Sequence, residues 1–595
     1  MTVVVVVLTA RGQMLATSIA RSIEGAEIHG LQDRVSEVDA FFEDTITHLH
    51  KLYQSGHSII GVCAAGILIR ALGSVLDNKT EEPPVIAVSE DGNSVVPLLG
   101  GHNGANRLAV SIAEVCDGHA AITTAGDVRF GIALDDPPVG WGMSNTGAAK
   151  KIMTAMLAGE PVNIDLQSGD PEWLLGSDIP TDDNAEQTII VSHRTSENQF
   201  TLHPPVLTVG VGCERNTGSE ELIELVEKAL FDNQLARGSI ACIASIDVKM
   251  DEDAVHAAAE YFDVPARFYT ADELETMSPR LANPSDIVFS EVGCHGVSEG
   301  AALMASGKSG DLIVPKVKSQ RATVAIGLSK TNVDASTRGK QRGRLSVVGI
   351  GPGKSDWRTP AVTKAVSQAS DVVGYKLYLE LLGDLINGKQ SHMSELAQEE
   401  ERVRKALDLA AEGRNVALVC SGDAGIYALA TLVFELIDLN DRPDWNRLRI
   451  DVEPGVSAIQ AAASKIGAPI GHDFCTISLS DLLTPWTEIE RRLKAAAAGD
   501  FVVAFYNPVS KRRRHQLEIA RDTLLAERSA ETPVMLARNL GRTDESISYI
   551  TLGELTPDHA DMLTLVMVGN SQSKMINIGG TNRVYTPRGY ADKNS

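Results

Sequence analysis

Short apolar runs alternate along the whole chain with longer segments whose apolar positions recur at helical spacing. The runs Val3–Leu8, Ile59–Val62, Val85–Val88, Val206–Val211, Ile240–Ile246 and Ile287–Phe289 are brief and rich in β-branched residues, a pattern that predicts strands. Between them lie stretches such as Ser219-Glu-Glu-Leu-Ile-Glu-Leu-Val-Glu-Lys-Ala-Leu230, apolar on one face of a helix. Ser219 is the expected N-cap there, with acids in the first turn. Steady alternation of the two patterns predicts α/β layers throughout.

Two polar stretches interrupt the pattern. Residues 160–204 are rich in Asp, Pro, Ser and Gly with only short apolar runs, and residues 330–344 contain almost nothing that could be buried. The second predicts a linker, because a fresh apolar strand, Leu345-Ser-Val-Val-Gly-Ile350, begins directly after it. With 595 residues the chain exceeds what one core can serve. The expected divisions are an α/β domain over 1–140, a middle region over 141–204, a second α/β domain over 205–330, the linker 331–344, and two further lobes over 345–470 and 471–592.

Charge and composition narrow the functions open to such a fold. A formal charge of −24 argues against a nucleic-acid partner, since phosphate binding needs a basic field. The seven cysteines form no CxxC pair and no cluster with zinc-ligand spacing, so no metal site is expected and the thiols read as buried groups of a reducing compartment. The Val-rich start lacks the basic flank of a signal peptide. The apolar stretch Ser58–Ile69 is followed by Arg70 and falls short of the roughly 20 residues a span requires. A cytoplasmic protein without a membrane segment is expected.

In the C-terminal half, Val347-Val-Gly-Ile-Gly-Pro-Gly353 runs a strand into a Gly-rich turn. Lys354 stands where a dinucleotide fingerprint needs Gly, and Val348 where a P-loop needs Gly. Four more segments end or follow apolar runs: Ser421-Gly-Asp-Ala-Gly-Ile-Tyr427, Val452-Glu-Pro-Gly-Val-Ser-Ala458, Val502-Val-Ala-Phe-Tyr-Asn-Pro508 and Pro533-Val-Met-Leu-Ala-Arg-Asn539. That places them at strand ends, where open α/β sheets bind ligands.

In this order these motifs resemble the tetrapyrrole (corrin/porphyrin) methylase family over about 345–573. Together with His472-Asp-Phe-Cys-Thr-Ile-Ser-Leu-Ser-Asp-Leu-Leu-Thr-Pro-Trp486 they look most like the branch that methylates C17 of precorrin-3B, or of its cobalt counterpart, and contracts the ring. The resemblance implies two α/β lobes with S-adenosyl-L-methionine (SAM) between them, and commonly a homodimer. It places cofactor contacts on Pro352, Ser421, Gly422, Asp423, Ile426, Ser457, Ala458, Tyr506, Asn539 and Leu540. The small Gly422 and Ala458 are expected to let backbone amides reach the ligand, and Asp423 to accept from an ammonium or ribose hydroxyls. Helix N-capping competes for Ser457, and core packing for Tyr506. Lys376 occupies the place of a basic Asp in the related siroheme-forming branch, which implies a catalytic or carboxylate-binding role against the alternative of a solvated surface residue. Lys511-Arg-Arg-Arg-His515 is expected to open a helix, as a solvated face or as a partner of substrate carboxylates.

In the N-terminal half, Val88-Ser-Glu-Asp-Gly-Asn-Ser-Val-Val-Pro-Leu-Leu-Gly-Gly-His-Asn-Gly-Ala-Asn-Arg107 concentrates Gly, His, Asn and acids in loops. With Gly61–Arg70, Val209–Arg215, Gly296–Leu303 and Leu312–Val324 it resembles the cobalt-precorrin-5A hydrolase family over about 1–328. That resemblance implies lactone opening with expulsion of a two-carbon fragment, which needs a base and an oxyanion site. Glu90, Asp91 and His102 are the candidate bases, and Gly100-Gly101 the candidate oxyanion amides. Ordering of the loop is the competing role for His102. The expectation is therefore a fusion of two corrin-ring enzymes acting on a tetrapyrrole. Its rivals are a methylase with a non-tetrapyrrole substrate, and an N-terminal half that only binds a corrinoid.

Overall fold

The computed structural model describes residues 2–589, except for 24, 37, 77–81, 396–397 and 511–512 and the side chain of His102. The chain divides into two compact units. One holds the residues up to Arg344 with the short segments Ala410–Arg414 and Arg442–Arg449, and the other holds the rest.

The first unit contains three sheets. The first has strands β1 (Val3–Val7), β2 (Glu27–Leu31), β3 (Ala40–Phe42), β4 (Ser58–Val62), β5 (Val85–Val88), β6 (Ser94–Leu99) and β7 (His119–Ala120), ordered β3-β2-β1-β4-β5-β6-β7. Strands β1, β2, β4 and β5 are parallel, and the near-continuous apolar sequences of β1, β4 and β5 suit burial on both faces. Strand β6 runs antiparallel to β5, with Val85 opposite Leu99 and Val88 opposite Val95.

Residues 160–204, expected to be a joint, instead form most of the second sheet. Its strands β8 (Gly142–Ser144), β9 (Val162–Leu166), β10 (Gln187–Val191) and β11 (Thr201–His203) are ordered β8-β11-β10-β9. Ile189, Val191, Phe200 and Leu202 pack there with Phe130, Ile152 and Met156. The apolar runs are short because each strand needs only two or three inward residues to close a small core.

The third sheet holds β12 (Leu207–Cys213), β13 (Ile240–Ile246), β14 (Ala266–Tyr269), β15 (Asp311–Lys318) and β16 (Ala322–Leu328), ordered β14-β13-β12-β16-β15. The helix Ser219–Asp232 covers it with Leu222, Leu225, Val226, Ala229 and Leu230. Its N-cap is Gly218; Ser219, expected there, is the first helical residue. Ile287–Phe289, read as a strand from its apolar run, lies in the helix Asp286–Val292. The Ser285 side chain caps that helix by accepting from Val288 N, Gly293 ends it at φ +81°, and Ile287 stays 74% exposed. Local capping overrides strand propensity where no neighbouring strand is available to pair.

The segment 331–344, expected as a free linker, is strapped onto the first unit. Asn332 exchanges hydrogen bonds with the backbone of Asp170, at 3.1 and 2.8 Å. Val333 is buried and its N–H donates to Pro205 O, and Lys340 pairs with Phe268 in both directions at 2.8 Å. A polar sequence does not preclude docking, since backbone groups need no apolar side chain to bond.

The second unit has two lobes. Strands β17 (Arg344–Gly349), β18 (Asp371–Tyr375), β19 (Gln390–Ser394), β20 (Asn415–Cys420) and β21 (Arg449–Glu453) form a sheet ordered β19-β18-β20-β17-β21. The short β22 (Gly467–Ala468) joins the C-terminal hairpin β28 (Lys574–Ile578) and β29 (Thr581–Tyr585). Strands β23 (Phe474–Ser478), β24 (Val502–Tyr506), β25 (Pro533–Arg538), β26 (Ser546–Thr551) and β27 (Thr564–Val568) form the other large sheet, ordered β23-β24-β27-β25-β26. The helix Ala458–Ile466, expected in the first lobe, packs Ile459, Ala462 and Ile466 against Val502, Ala504 and Met535 of the second. Among the described residues no helix is long and apolar enough to cross a membrane.

The strap yields a test. A chain ending at Leu328 should melt several degrees below one ending at Arg344, because it loses backbone bonds of about 0.5–1.5 kcal/mol each. Equal melting temperatures by calorimetry would show that the strap adds nothing to the first unit.

Candidate functional sites

In the second unit, three loop ends meet backbone to backbone. Gly351 and Gly422 exchange hydrogen bonds, Gly351 N to Gly422 O at 3.1 Å and Gly422 N to Gly351 O at 2.8 Å. A Cβ on Gly455 would collide with the carbonyls of both Gly422 and Gly349, so only glycine permits this crossing of the loops after β17, β20 and β21. Asp423 fastens it: one carboxylate oxygen accepts from Gly425 N at 2.8 Å, the other from Gly455 N at 3.1 Å.

At Gly422, which has φ +68°, a Cβ would meet Ala458 N and Ser457 Cα at 3.9 and 4.0 Å, ordinary van der Waals contact with the start of the next helix. Ser457 caps the helix Ala458–Ile466 in a reciprocal box with Gln460. Tyr506, at the end of β24, accepts from Ile459 N at 3.2 Å through its phenol oxygen, and burial raises its pKa. Its ring lies 5.1 Å from that of Tyr427. Tyr427 has φ +50° and donates to Thr476 O at 3.0 Å, tying the loop after β20 to β23. Pro352 is buried and its carbonyl accepts from Arg542 Nε at 3.2 Å. Asn539 sits at φ +52°, and Leu540 turns its side chain into the second lobe's core. Ser421 and Ile426 are half-buried on the loop after β20.

Lys376 opens the helix Lys376–Glu380 directly after β18, and the parallel pairing of β18 with β20 puts it on the same sheet edge as Ser421. Its side chain is 62% exposed and lies 4.0 Å from Glu380, a solvated pair that holds it weakly.

In the first unit, the strand order reverses between β1 and β4, and the crevice at such a switch point is where doubly wound sheets bind ligands. Glu90 lies at this edge, after β5, with its carboxylate accepting from Thr9 Oγ1 after β1. Thr9 Oγ1 in turn accepts from Gly12 N at 3.3 Å. Cys63, after β4, is nearly buried. Burial and the Glu90 carboxylate push its thiol up to about 11, which keeps it protonated and inert near neutrality.

Asp91 has a different task. It accepts from Ser89 Oγ, Asn93 N and Asn93 Nδ2, closing the β5–β6 turn, and these bonds hold its pKa below the usual carboxylate range. Gly100 lies at the opposite edge of the sheet, packed on the Pro83 carbonyl ahead of β5. The antiparallel return of β6 therefore separates Glu90 and Asp91 from Gly100, Gly101 and the backbone of His102 by about four strand residues, on the order of 13 Å. The expected combination of those bases with those amides is not assembled. The His102 side chain lies outside the described residues.

The chain matches the family model described as Tetrapyrrole (Corrin/Porphyrin) Methylases over residues 344–556. It also matches Cobalamin synthesis G N-terminal over 47–127 and Cobalamin synthesis G C-terminus over 207–327. The cobalamin biosynthesis protein CobIJ of Mycobacterium tuberculosis (strain ATCC 25618 / H37Rv) is 39% identical over 334 residues, 53% of this chain and 64% of that protein. The chain thus spans less than two thirds of the length of that curated relative. The probable cobalt-factor III C(17)-methyltransferase of Salmonella typhimurium is 45% identical over 250 residues, 41% of this chain and 99% of that protein. The crystal structure of the methyltransferase CobJ aligns at 41% identity over 41% of this chain and 100% of its own, with a TM-score of 0.39.

The chain belongs to the tetrapyrrole methylase family.

Its second unit is the methylase, with SAM as the cofactor of the family, and its first unit carries the cobalamin synthesis G regions. The residues here fit such a cofactor, since Gly422 presents no side chain toward the start of the helix Ala458–Ile466. The Gly422 N–H is already bonded to Gly351 O, and the Ser457 N–H to Gln460, so neither of these two amides is spare for a ligand. Tyr427, Thr9 and Cys63 reach these places without a mark in the local sequence. A positive φ at an aromatic residue and a contact 81 residues apart leave no local signal.

Asp423→Ala should weaken SAM binding by roughly tenfold or more, because two backbone donors lose a charged acceptor worth about 1.5–3 kcal/mol. Calorimetry showing unchanged affinity would mean that the loop crossing does not contribute to SAM binding.

Proposed function

We propose that the methylase unit transfers the methyl group of SAM to C17 of precorrin-3B or cobalt-factor III, with contraction of the ring. The observation that carries this reading is the 45% identity to a probable cobalt-factor III C(17)-methyltransferase across 99% of that relative. Bound SAM would supply an already activated methyl group, so the protein's part is chiefly alignment. Ser421, Gly422, Asp423 and Ile426 would line one side of the cofactor, and Pro352, Ser457, Ala458, Tyr506, Asn539 and Leu540 the other. Asp423 acts by holding loops as well as by its charge. Two copies would associate through the methylase unit, where β28 is exposed along its whole length and presents Met575, Ile576 and Ile578. A cytoplasmic setting agrees with seven free thiols.

For the first unit the reading is hydrolysis of a cobalt-precorrin-5A lactone, with Glu90 rather than Asp91 as the base that takes a proton from water. Glu90 is supported by its place at the switch point and by the Thr9 hydrogen bond. A unit that only binds a corrinoid is the alternative.

Three measurements check these assignments. Incubation with SAM and either precorrin-3B or cobalt-factor III should give a ring-contracted product carrying one more methyl group by mass spectrometry. Neither substrate being methylated would end the C17 reading. Lys376→Ala should raise KM and spare kcat, as expected of an exposed cation that binds a ring carboxylate. A 10²–10⁴-fold fall in kcat, with an uncontracted methylated product, would instead make Lys376 a proton donor. Glu90→Gln should abolish lactone opening while methylation continues, and undiminished opening would exclude Glu90 as the base.

A further inference from the structure

The strap 331–344 carries a cation that neither reaction proposed above uses, and it meets a second one from the third sheet. Strand β14 places Arg267 and Tyr269 on one face and Phe268 on the other, because side chains alternate along a strand. Phe268 packs with the helix Ser219–Asp232, whereas Tyr269 packs with Cys242, Leu274, Ala301 and Ala305 on the opposite side. At the open edge of β14 the strap pairs Lys340 with Phe268. Gly339, at φ +51°, lies so close that a Cβ there would meet Phe268 O at 2.7 Å and Tyr269 Cζ at 3.1 Å. Arg338, one residue earlier, sets its guanidinium against Gly307, which ends the helix Val297–Ser306 on the Tyr269 side.

The two guanidiniums share a neighbourhood. Both lie within electrostatic reach of Tyr269, Cys242 and Asp334. The Nε of each is sealed from solvent without a hydrogen-bond partner, and so is the phenol oxygen of Tyr269. Their terminal nitrogens are not sealed, and neither side chain forms an ion pair or hydrogen bond among the described residues. The acids nearby are engaged elsewhere. Asp334 accepts from Ser336 Oγ at 2.6 Å and Ser336 N at 2.9 Å, and these bonds hold its pKa below the usual carboxylate range. Glu273 is held in a reciprocal capping box with Thr270. Burial raises the Tyr269 pKa, so the phenol stays neutral and adds no charge.

A chain with 78 acidic and 54 basic residues has no shortage of partners for arginine. Two unpaired forks in one place therefore point outward, to an anion from solution. A carboxylate fills one fork, whereas a tetrahedral dianion has the charge and the oxygens for two. We propose that Arg267 and Arg338 bind a phosphate-class dianion, which clasps the strap to β14. The site belongs to the first unit and is independent of both reactions proposed above.

The test is hydrogen exchange of the full-length protein in inorganic phosphate and in chloride at equal ionic strength, with calorimetry for phosphate affinity. Phosphate should slow exchange across residues 337–341 several-fold and leave the strand Ile240–Ile246 unchanged. Acetate should protect the strap less than phosphate does. Arg267→Gln should remove that protection and weaken phosphate at least tenfold, although Arg267 lies outside the strap, and Arg338→Gln should do the same. Should either glutamine variant disturb exchange in Ile240–Ile246, Arg267→Lys decides, with a several-fold loss of affinity expected because a point charge replaces a fork. Absence of phosphate-dependent protection in the wild type, protection that survives Arg267→Gln, wild-type affinity in Arg267→Lys, or stronger protection by acetate than by phosphate overturns the proposal.

Discussion

The methylase unit depends on one crowded point, where the loops after β17, β20 and β21 cross without side chains between them. Gly349, Gly422 and Gly455 approach so closely that a methyl group on Gly455 would overlap two carbonyls. Backbone bonds between Gly351 and Gly422, and the Asp423 carboxylate shared by two N–H groups, hold the crossing closed. Close approach of backbones brings Gly422 to the start of the helix Ala458–Ile466. From there the phenol of Tyr506 carries the arrangement into the second lobe.

A comparable constraint shapes the first unit, and it acts by separation. Because β6 returns antiparallel to β5, residues close in sequence at either end of that hairpin lie at opposite edges of the sheet. Glu90 joins Thr9 and Cys63 at the switch point, contributed by loops far apart along the chain. Asp91, adjacent to Glu90, is consumed in closing the turn. Two neighbouring carboxylates therefore have separate fates, one facing a crevice and the other locked into backbone geometry.

Two polar stretches that read as a joint and a linker are used by the fold. Residues 160–204 build a sheet from strands of three to five residues, and 331–344 is tied to the first unit by backbone pairs at Val333 and Lys340. Hydropathy records which side chains prefer burial. It carries no information on whether a backbone finds partners, so a polar strap and a free linker read alike.

By itself the sequence determined the α/β class, the strands from Val3 to Val7 and from Ile240 to Ile246, and the Gly-rich strand ends that mark the methylase, since period and composition are local properties. Only the tertiary structure decided how those residues are used. It committed the Gly422 and Ser457 amides to the protein's own carbonyl and side-chain oxygens, set Tyr427 against Tyr506, split Glu90 from Gly100, and sealed the Nε of Arg267 and of Arg338 without a partner. These outcomes depend on which distant segments arrive at the same place. Sequence spacing does not encode that arrival, because it is settled by strand order and by the steric limits of backbones meeting at a sheet edge.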